Sequence, residues 1–462
     1  MTHTLTTISP IDNRVYVERP LADSEYISHT LALANSAQQA WRATSLAERA
    51  AICSAAVDAF VANKDVIADE LTWQMGRPIR YSAGEVGGYE ERARYMIEAA
   101  PAALKTIELA AKDGFTRYIK REALGTVFIV APWNFPFMTA INAVMPALMA
   151  GNSVVLKHSA QTPLCAERMV ESFAKAGLPK GVFQYLHLSH ADTEAIIASD
   201  KVDFVAFTGS VNGGAMVEKA AAGTFKGVGL ELGGKDPAYV RADANIEQAV
   251  ATIIDGAFFN SGQSCCGIER IYVHESCYDE FLEKAIALVN TYVLGRSDDP
   301  ATTLGPVVKA SAADFIRGQI QEAVEQGAVT HIDPEHFPLN AIGTAYLAPQ
   351  ILTNVDHSMR IMQEESFGPV VGIQKVTNDD RAIELMNDSE FGLTASVFTT
   401  DIEAGIALGE RLATGTFFIN RCDYLDPALA WTGVKKSGRG CTLSSLGYDY
   451  LTRPKSFHIK HL

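Results

Sequence analysis

Several features that would assign this 462-residue chain quickly are missing from it. Its seven cysteines, Cys53, Cys165, Cys265, Cys266, Cys277, Cys422 and Cys441, are scattered and make no disulfide framework. Only Cys265 and Cys266 are neighbours. With no second pair at ligand spacing no metal is expected, and the His187-x-x-His190 pair reads as a solvated turn. There is no block of Lys or Arg, and the net charge is -15, so nucleic acid is not an expected partner. The first residues carry no basic stretch followed by an apolar one, so no secretory signal is read and a reduced, cytoplasmic setting is the expectation. Nor is there a long uninterrupted apolar run. Residues 123–156 hold no charged side chain, but Pro132, Pro136 and Pro146, with Asn134, Asn142 and Asn152, cut the stretch into pieces too short and polar for a bilayer helix. No membrane partner is expected.

What is present is an ordinary globular composition, 48% hydrophobic and 20% charged, long enough for two or three domains. After a loop-like start, the first hundred residues read mainly as helix. Ser45-Leu-Ala-Glu48 has the form of a capping box, and a second helix is expected over residues 82–99. Both look like scaffold. The uncharged stretch reads as one buried strand–helix–strand unit, with Pro132-Trp-Asn-Phe-Pro136 at the carboxyl end of its first strand, where open α/β sheets place ligands. Residues 115–121 and the alternating C-terminus (Phe457, Ile459, Leu462) read as two strands of an arm that needs a partner subunit.

Three later loops carry candidate chemistry. A strand over residues 202–207 feeds Thr208-Gly-Ser-Val-Asn-Gly-Gly214, whose small residues would let backbone N–H groups approach a nucleotide, although it is not Gly-x-Gly-x-x-Gly. Gly229-Leu-Glu-Leu-Gly-Gly-Lys235-Asp236 nearly matches a phosphate-binding loop. It fails because Asp236 replaces the Mg²⁺-binding hydroxyl and Pro237 stands where a helix should start. What remains there is a carboxylate, Glu231, between glycines. Residues 258–270 place Cys265 and Cys266 in a small polar loop between a helical pattern and a strand pattern, where a thiol can be exposed and aimed. Buried, inert cysteines are the plain alternative.

Together these blocks resemble the aldehyde dehydrogenase superfamily over essentially the whole chain. In order they are Pro132-Trp-Asn-Phe-Pro136, Lys157 after a strand, Phe207-Thr-Gly-Ser210, Leu230-Glu-Leu-Gly-Gly-Lys235, Asn260-x-Gly-Gln-x-Cys265, Glu365-x-Phe-Gly-Pro369 and Lys436-Ser-Gly438. Cys265 follows Glu231 by 34 residues, as the family usually has it. The resemblance implies an α/β fold: a Rossmann-type cofactor domain (residues 1–104 and 124–232), an α/β catalytic domain (233–440) and a small β arm (105–123 and 441–462) that assembles a homodimer or homotetramer. It implies oxidation of an aldehyde through a Cys265 thiohemiacetal and thioester, with Asn134 and the Cys265 backbone N–H holding the oxyanion and Glu231 activating the hydrolytic water. The presence of Glu231 favours a free acid over a coenzyme A ester.

For the cofactor the resemblance implies Trp133, Lys157, Ser159, Ala160, Gly209, Ser210, Glu365 and Phe367. Where many NAD-preferring relatives have Lys-Pro-Ser/Ala-Glu, this chain has Lys157-His158-Ser159-Ala160. The carboxylate for the ribose 2′-OH is missing, so NADP is expected to be accepted alongside NAD. For the substrate it implies Phe135, Phe259, Ser264, Cys266, Tyr424, Leu425 and Trp431. Succinate-semialdehyde relatives commonly carry Arg where Phe259 stands, so an aromatic or apolar aldehyde is the leading expectation and an acidic semialdehyde, with Arg421 nearby, the alternative. Two other classes compete: a non-catalytic descendant of the fold, and a redox sensor using the adjacent cysteines.

Overall fold

The computed structural model describes residues 4–462. Its first large sheet has six strands in the order Gly438–Arg439, Gly227–Glu231, Phe204–Thr208, Thr126–Ala131, Ser153–His158 and Phe183–Tyr185. All neighbours are parallel except the short Gly438–Arg439, which runs antiparallel to Gly227–Glu231. Every residue of Thr126–Ala131 and of Ser153–His158 is buried, which is why these central strands read as unbroken apolar runs instead of alternating ones. From Thr126–Ala131 the chain first builds outward to one side and later returns to add Phe204–Thr208 on the other. The crevice at that reversal lies outside the carboxyl ends of the two strands, so Pro132-Trp-Asn and Thr208-Gly-Ser face each other across it.

A second sheet has seven strands: Val329–Thr330, Gln350–Thr353, Val370–Val376, Ile268–His274, Asp236–Val240, Thr394–Phe398 and Thr416–Ile419. Pro237 lies in a central strand of it, and the register slips between Asp236 and Pro237, the irregularity expected where a ladder N–H is missing. Thus the near phosphate-binding loop leads into a strand, with no helix behind it. The C-terminal strand Thr452–Lys460 pairs antiparallel with all of Phe115–Ala123, and Ile107–Glu108 adds a third strand. No helix among the described residues is long and apolar enough to cross a membrane.

Ser45 caps Leu46–Val61 by accepting from the Glu48 N–H, and the expected second helix is longer than read, Ile79–Ala103. Two expectations are corrected. The loop-like start is a hairpin, Thr4–Ile8 with Val15–Pro20, whose Thr-rich first strand has too little apolar alternation to announce itself. His187 is not in a solvated turn: it is buried, and its Nε2 lies 3.1 Å from Glu167 Oε1. Glu167 also binds Arg19, so the imidazole belongs to a buried carboxylate network.

Candidate active site

The helix Ile246–Phe258 ends in a turn in which Asn260, Ser261 and Gly262 all have positive φ. Two non-glycine residues in that region cost about 1 kcal/mol or more each, so the surroundings must hold the turn. A Cβ on Gly262 would lie 2.1 Å from the Gly368 carbonyl, which ties the Asn-x-Gly-Gln block to the Phe-Gly-Pro block. Asn260 Nδ2 donates to the carbonyls of Asn134 (3.3 Å) and Gln263 (3.2 Å), while its Oδ1 accepts from Arg77 Nε (3.1 Å). Arg77 also donates to the Asn134 carbonyl (2.5 Å) and pairs with buried Glu85. Glu85 in turn accepts from the N–H groups of Phe137 and Met138, supplying the carboxylate that the helix Pro136–Met149 lacks at its own N-terminus. One buried ion pair therefore fixes both loops.

Beyond this turn stands Cys265, partly exposed, with no acceptor for its backbone N–H among the described residues. Asn134 Nδ2 donates to the Gln263 carbonyl at 3.2 Å, which aims the amide along the same loop and leaves its second hydrogen free. Cys266 is buried beside Cys265. Its neighbour Cys265, burial and the adjacent Asp423 all push its thiol well above the ordinary range, and it donates to Asp423 Oδ1 at 3.1 Å.

Two cavities meet at Cys265 and Glu231. One, of about 280 Å³, is lined by Trp133, Asn134, Gly209, Ser210, Glu365 and Phe367. The other, of about 370 Å³, is lined by Phe135, Phe259, Ser264, Cys266, Tyr424, Leu425 and Trp431 among others. Both Cys265 and Glu231 line each cavity. Burial raises the Glu231 carboxyl above the usual range, against hydrogen bonds from Thr442 Oγ1 (2.5 Å) and Thr208 Oγ1 (3.3 Å) that pull it back. A thiol and a raised carboxylate between an aromatic chamber and a glycine-lined cleft suit attack on a substrate in one and electron transfer to a group in the other.

The sequence model of the Aldehyde dehydrogenase family matches residues 1–457. The chain belongs to the aldehyde dehydrogenase family. It is 33% identical over 452 residues to the succinate-semialdehyde dehydrogenase [NADP(+)] of Deinococcus radiodurans, covering 97% of this chain and 93% of that one. It is likewise 33% identical over 446 residues to the succinate semialdehyde dehydrogenase [NAD(P)+] Sad of Escherichia coli, covering 96% of each. The crystal structure of succinic semialdehyde dehydrogenase from Streptococcus pyogenes in complex with NADP+ superposes with a TM-score of 0.94, at 30% identity, over 98% of this chain and 99% of that one. As an aldehyde dehydrogenase the protein acts on aldehydes, and the α/β fold expected from the motifs is the fold found.

The cleft fits the nicotinamide end of a dinucleotide. The helix Val211–Ala221 opens at its mouth with Ser210 as N-cap, and a Cβ on Gly233 would lie 2.3 Å from the Glu365 carboxylate. Phe367 meets Trp133 edge-on, ring centroids 5.6 Å apart, from a backbone at φ +52. Lys157, Ser159 and Ala160 sit at and after the end of Ser153–His158, outside this cleft's lining. Burial drives the Lys157 pKa down, and His158, pushed down to about 3 by burial, is neutral. Lys235 is no phosphate ligand: its Nζ pairs with buried Glu269 at 2.5 Å, and Glu269 accepts from the Ser366 and Phe367 N–H groups. Sequence reasoning missed Arg77, Glu85, Arg92, Thr442 and Asp423.

Proposed function

We propose that the protein oxidises a short acidic semialdehyde, succinate semialdehyde or a near relative, to the free dicarboxylate, with NAD or NADP. The observation that carries the substrate class is the succession of succinate-semialdehyde dehydrogenases among relatives matched along nearly their full length. It reverses the order of the two sequence expectations, in which the aromatic aldehyde led.

In this reading the Cys265 thiolate attacks the aldehyde carbon, and the resulting oxyanion accepts from Asn134 Nδ2 and the Cys265 N–H. Arg77, through Asn260 and the Asn134 carbonyl, keeps those two donors in register. Trp133, Gly209, Ser210, Glu365 and Phe367 would hold the nicotinamide end of the dinucleotide and Lys157, Ser159 and Ala160 its adenosine end, and the group would supply the hydride acceptor when bound. Glu231 then takes the proton of the water that cleaves the Cys265 thioester, a role suited to a carboxyl raised by burial. Cys265 is regenerated and a free acid leaves. The three-stranded arm of Ile107–Glu108, Phe115–Ala123 and Thr452–Lys460 serves a homodimer or homotetramer, and the enzyme works in the cytoplasm.

A second reading keeps the aromatic aldehyde, on the observation that Phe135, Phe259, Tyr424 and Trp431 do line the substrate chamber. Steady-state turnover of purified protein with succinate semialdehyde and benzaldehyde separates the two. A kcat/KM at least tenfold higher for the semialdehyde is expected; the reverse order establishes the aromatic reading instead.

A further inference from the structure

Phe259 removes one source of positive charge from the substrate chamber, but the chamber is not without a cation. Arg92, on the helix Ile79–Ala103, lines it and is only 7% exposed. Of the other buried guanidinium groups, Arg49 lies outside the chamber and gives Nε and Nη1 to the Met149 and Thr44 carbonyls, and two more are consumed by the protein. Arg77 uses all three nitrogens on Glu85, Asn134 and Asn260, and Arg270 uses all three on carbonyl and hydroxyl oxygens. Arg92 uses one: its Nη1 donates to the Met138 carbonyl (2.9 Å) and, weakly, to Asn142 Oδ1 (3.4 Å). No carboxylate stands within ion-pair distance of it among the described residues. Beside it, Asn142 also lines the chamber, is 1% exposed, and has no acceptor for its Nδ2.

Arg92 lines the chamber with Nε and Nη2 unpaired by protein, and beside it the buried Asn142 Nδ2 has no acceptor, which is costly unless one arrives. We infer that Arg92 and Asn142 form the anchor for the distal carboxylate of the substrate, a short ω-carboxy aldehyde whose other end lies at Cys265. The guanidinium fork matches a carboxylate with two parallel hydrogen bonds, and Asn142 Nδ2 supplies a third. The chain between the two ends is short, because Arg92, Asn142 and Cys265 line one cavity of about 370 Å³. Opposing carboxyls in the chamber wall are restrained. Asp423 accepts from Ser264 and Cys266, Glu91 accepts from Tyr424, and burial raises the Asp255 and Asp423 carboxyls toward the neutral form. This anchor rests on the semialdehyde reading above, and its charged member comes from a helix that carries none of the family's motif blocks.

The test compares succinate semialdehyde with butanal, which has the same carbon chain and no carboxylate, in the full-length protein and in Arg92→Leu and Asn142→Asp. The second variant keeps side-chain size but sets a carboxylate against Arg92. The wild type is expected to prefer the acid by tenfold or more, and both variants to lose that preference, chiefly through a rise of about a hundredfold in KM for the acid. Butanal turnover in the same preparations reports that the thiol and the cleft are intact. If the wild type prefers the acid and either variant keeps the preference, the anchor is refuted while the semialdehyde reading stands. If both variants lose acid and butanal turnover in equal measure, with a displaced pH profile, Arg92 acts on Cys265 or Glu231 and the anchor is likewise refuted. A wild type with no preference for ω-carboxy aldehydes of two to five carbons overturns the reading and the anchor with it.

Discussion

Glu231 Oε1 accepts a hydrogen bond of 2.5 Å from the hydroxyl of Thr442, a residue brought from the far end of the chain. Gly438 pairs directly with Glu231 in the sheet, and the Ser437 hydroxyl donates to the Gly233 carbonyl at 2.8 Å, so the Lys-Ser-Gly block is what brings Thr442 there. Gly438 is required for the approach: it has φ +112, and a Cβ on it would lie 2.1 Å from the Leu230 carbonyl.

The pair sets the first prediction. Burial raises the Glu231 pKa and the Thr442 hydrogen bond lowers it, so Thr442→Val, of nearly equal volume, is expected to raise it further. A base must be ionised to act, so the acid limb of the kcat–pH profile moves to higher pH. Rates on the alkaline plateau stay near wild type. An unmoved limb would mean that another group controls it.

Removing the carboxylate altogether tests the same group by another route. In Glu231→Gln the thioester forms but its hydrolysis has no base, so a pre-steady-state burst of reduced cofactor is expected, followed by turnover slower by about 10²–10⁴-fold. Stopped-flow absorbance reads both phases. Loss of the burst together with the steady rate would place Glu231 before the thioester.

The Arg77–Glu85 pair is buried at both ends, with side-chain exposures of 1% and 0%. Glu85→Gln leaves the guanidinium uncompensated at a cost of about 3 kcal/mol and removes the oxygen charge from the N-terminus of Pro136–Met149. A lower thermal midpoint is expected, with a kcat that falls more than KM rises, because Asn134 loses its register. A variant that melts earlier but keeps its kcat would confine the pair to stability.

Residue type made much of this legible beforehand. Cys265 and Glu231 stood out as a thiol and a carboxylate near glycines and Asn134 as an amide in a Pro-bracketed turn at the end of a strand, the family resemblance joined the three, and the central strands stood out because they are largely apolar. Glu85 and Arg92 were not. They lie on a helix dense in Arg and Glu, where a charge that faces the core looks the same in sequence as one that faces water. Thr442 was hidden for a different reason: its partner comes through a two-residue strand, Gly438–Arg439, and two residues carry no periodicity. The Asp423 role stayed out of reach because it depends on a backbone at φ +45 folding the loop over Ser264 and Cys266.

The cofactor reading is testable at Ala160, whose side chain is exposed while its carbonyl accepts from Thr7. Ala160→Glu restores the carboxylate that many NAD-preferring relatives carry. It is expected to lower kcat/KM for NADP at least tenfold, about 1.4 kcal/mol of repulsion, and to leave NAD unchanged or improved. Equal kinetics for both cofactors in the variant would move the ribose away from this turn.

Glu365 gives a prediction read from stability alone. Burial and the neighbouring Glu269 push its carboxyl up to about 8, while it accepts from the Gly234 N–H at 3.1 Å. In the unfolded chain it ionises near the ordinary carboxylate value of 4.5. Between those two values the native state keeps a proton that the unfolded state has released, so raising the pH favours unfolding; above about 8 both forms are ionised and the effect levels off. Glu365→Gln has no proton to lose and its amide oxygen still accepts from Gly234. The variant is therefore expected to match the wild type near pH 4.5 and to exceed it increasingly up to pH 8, with an upper bound on the order of 5 kcal/mol. Asp236 and Glu231, also raised by burial, are present in both proteins and cancel in the difference. Thermal melts of the two proteins across that range measure it, and parallel curves would show that Glu365 ionises in the fold as readily as in water.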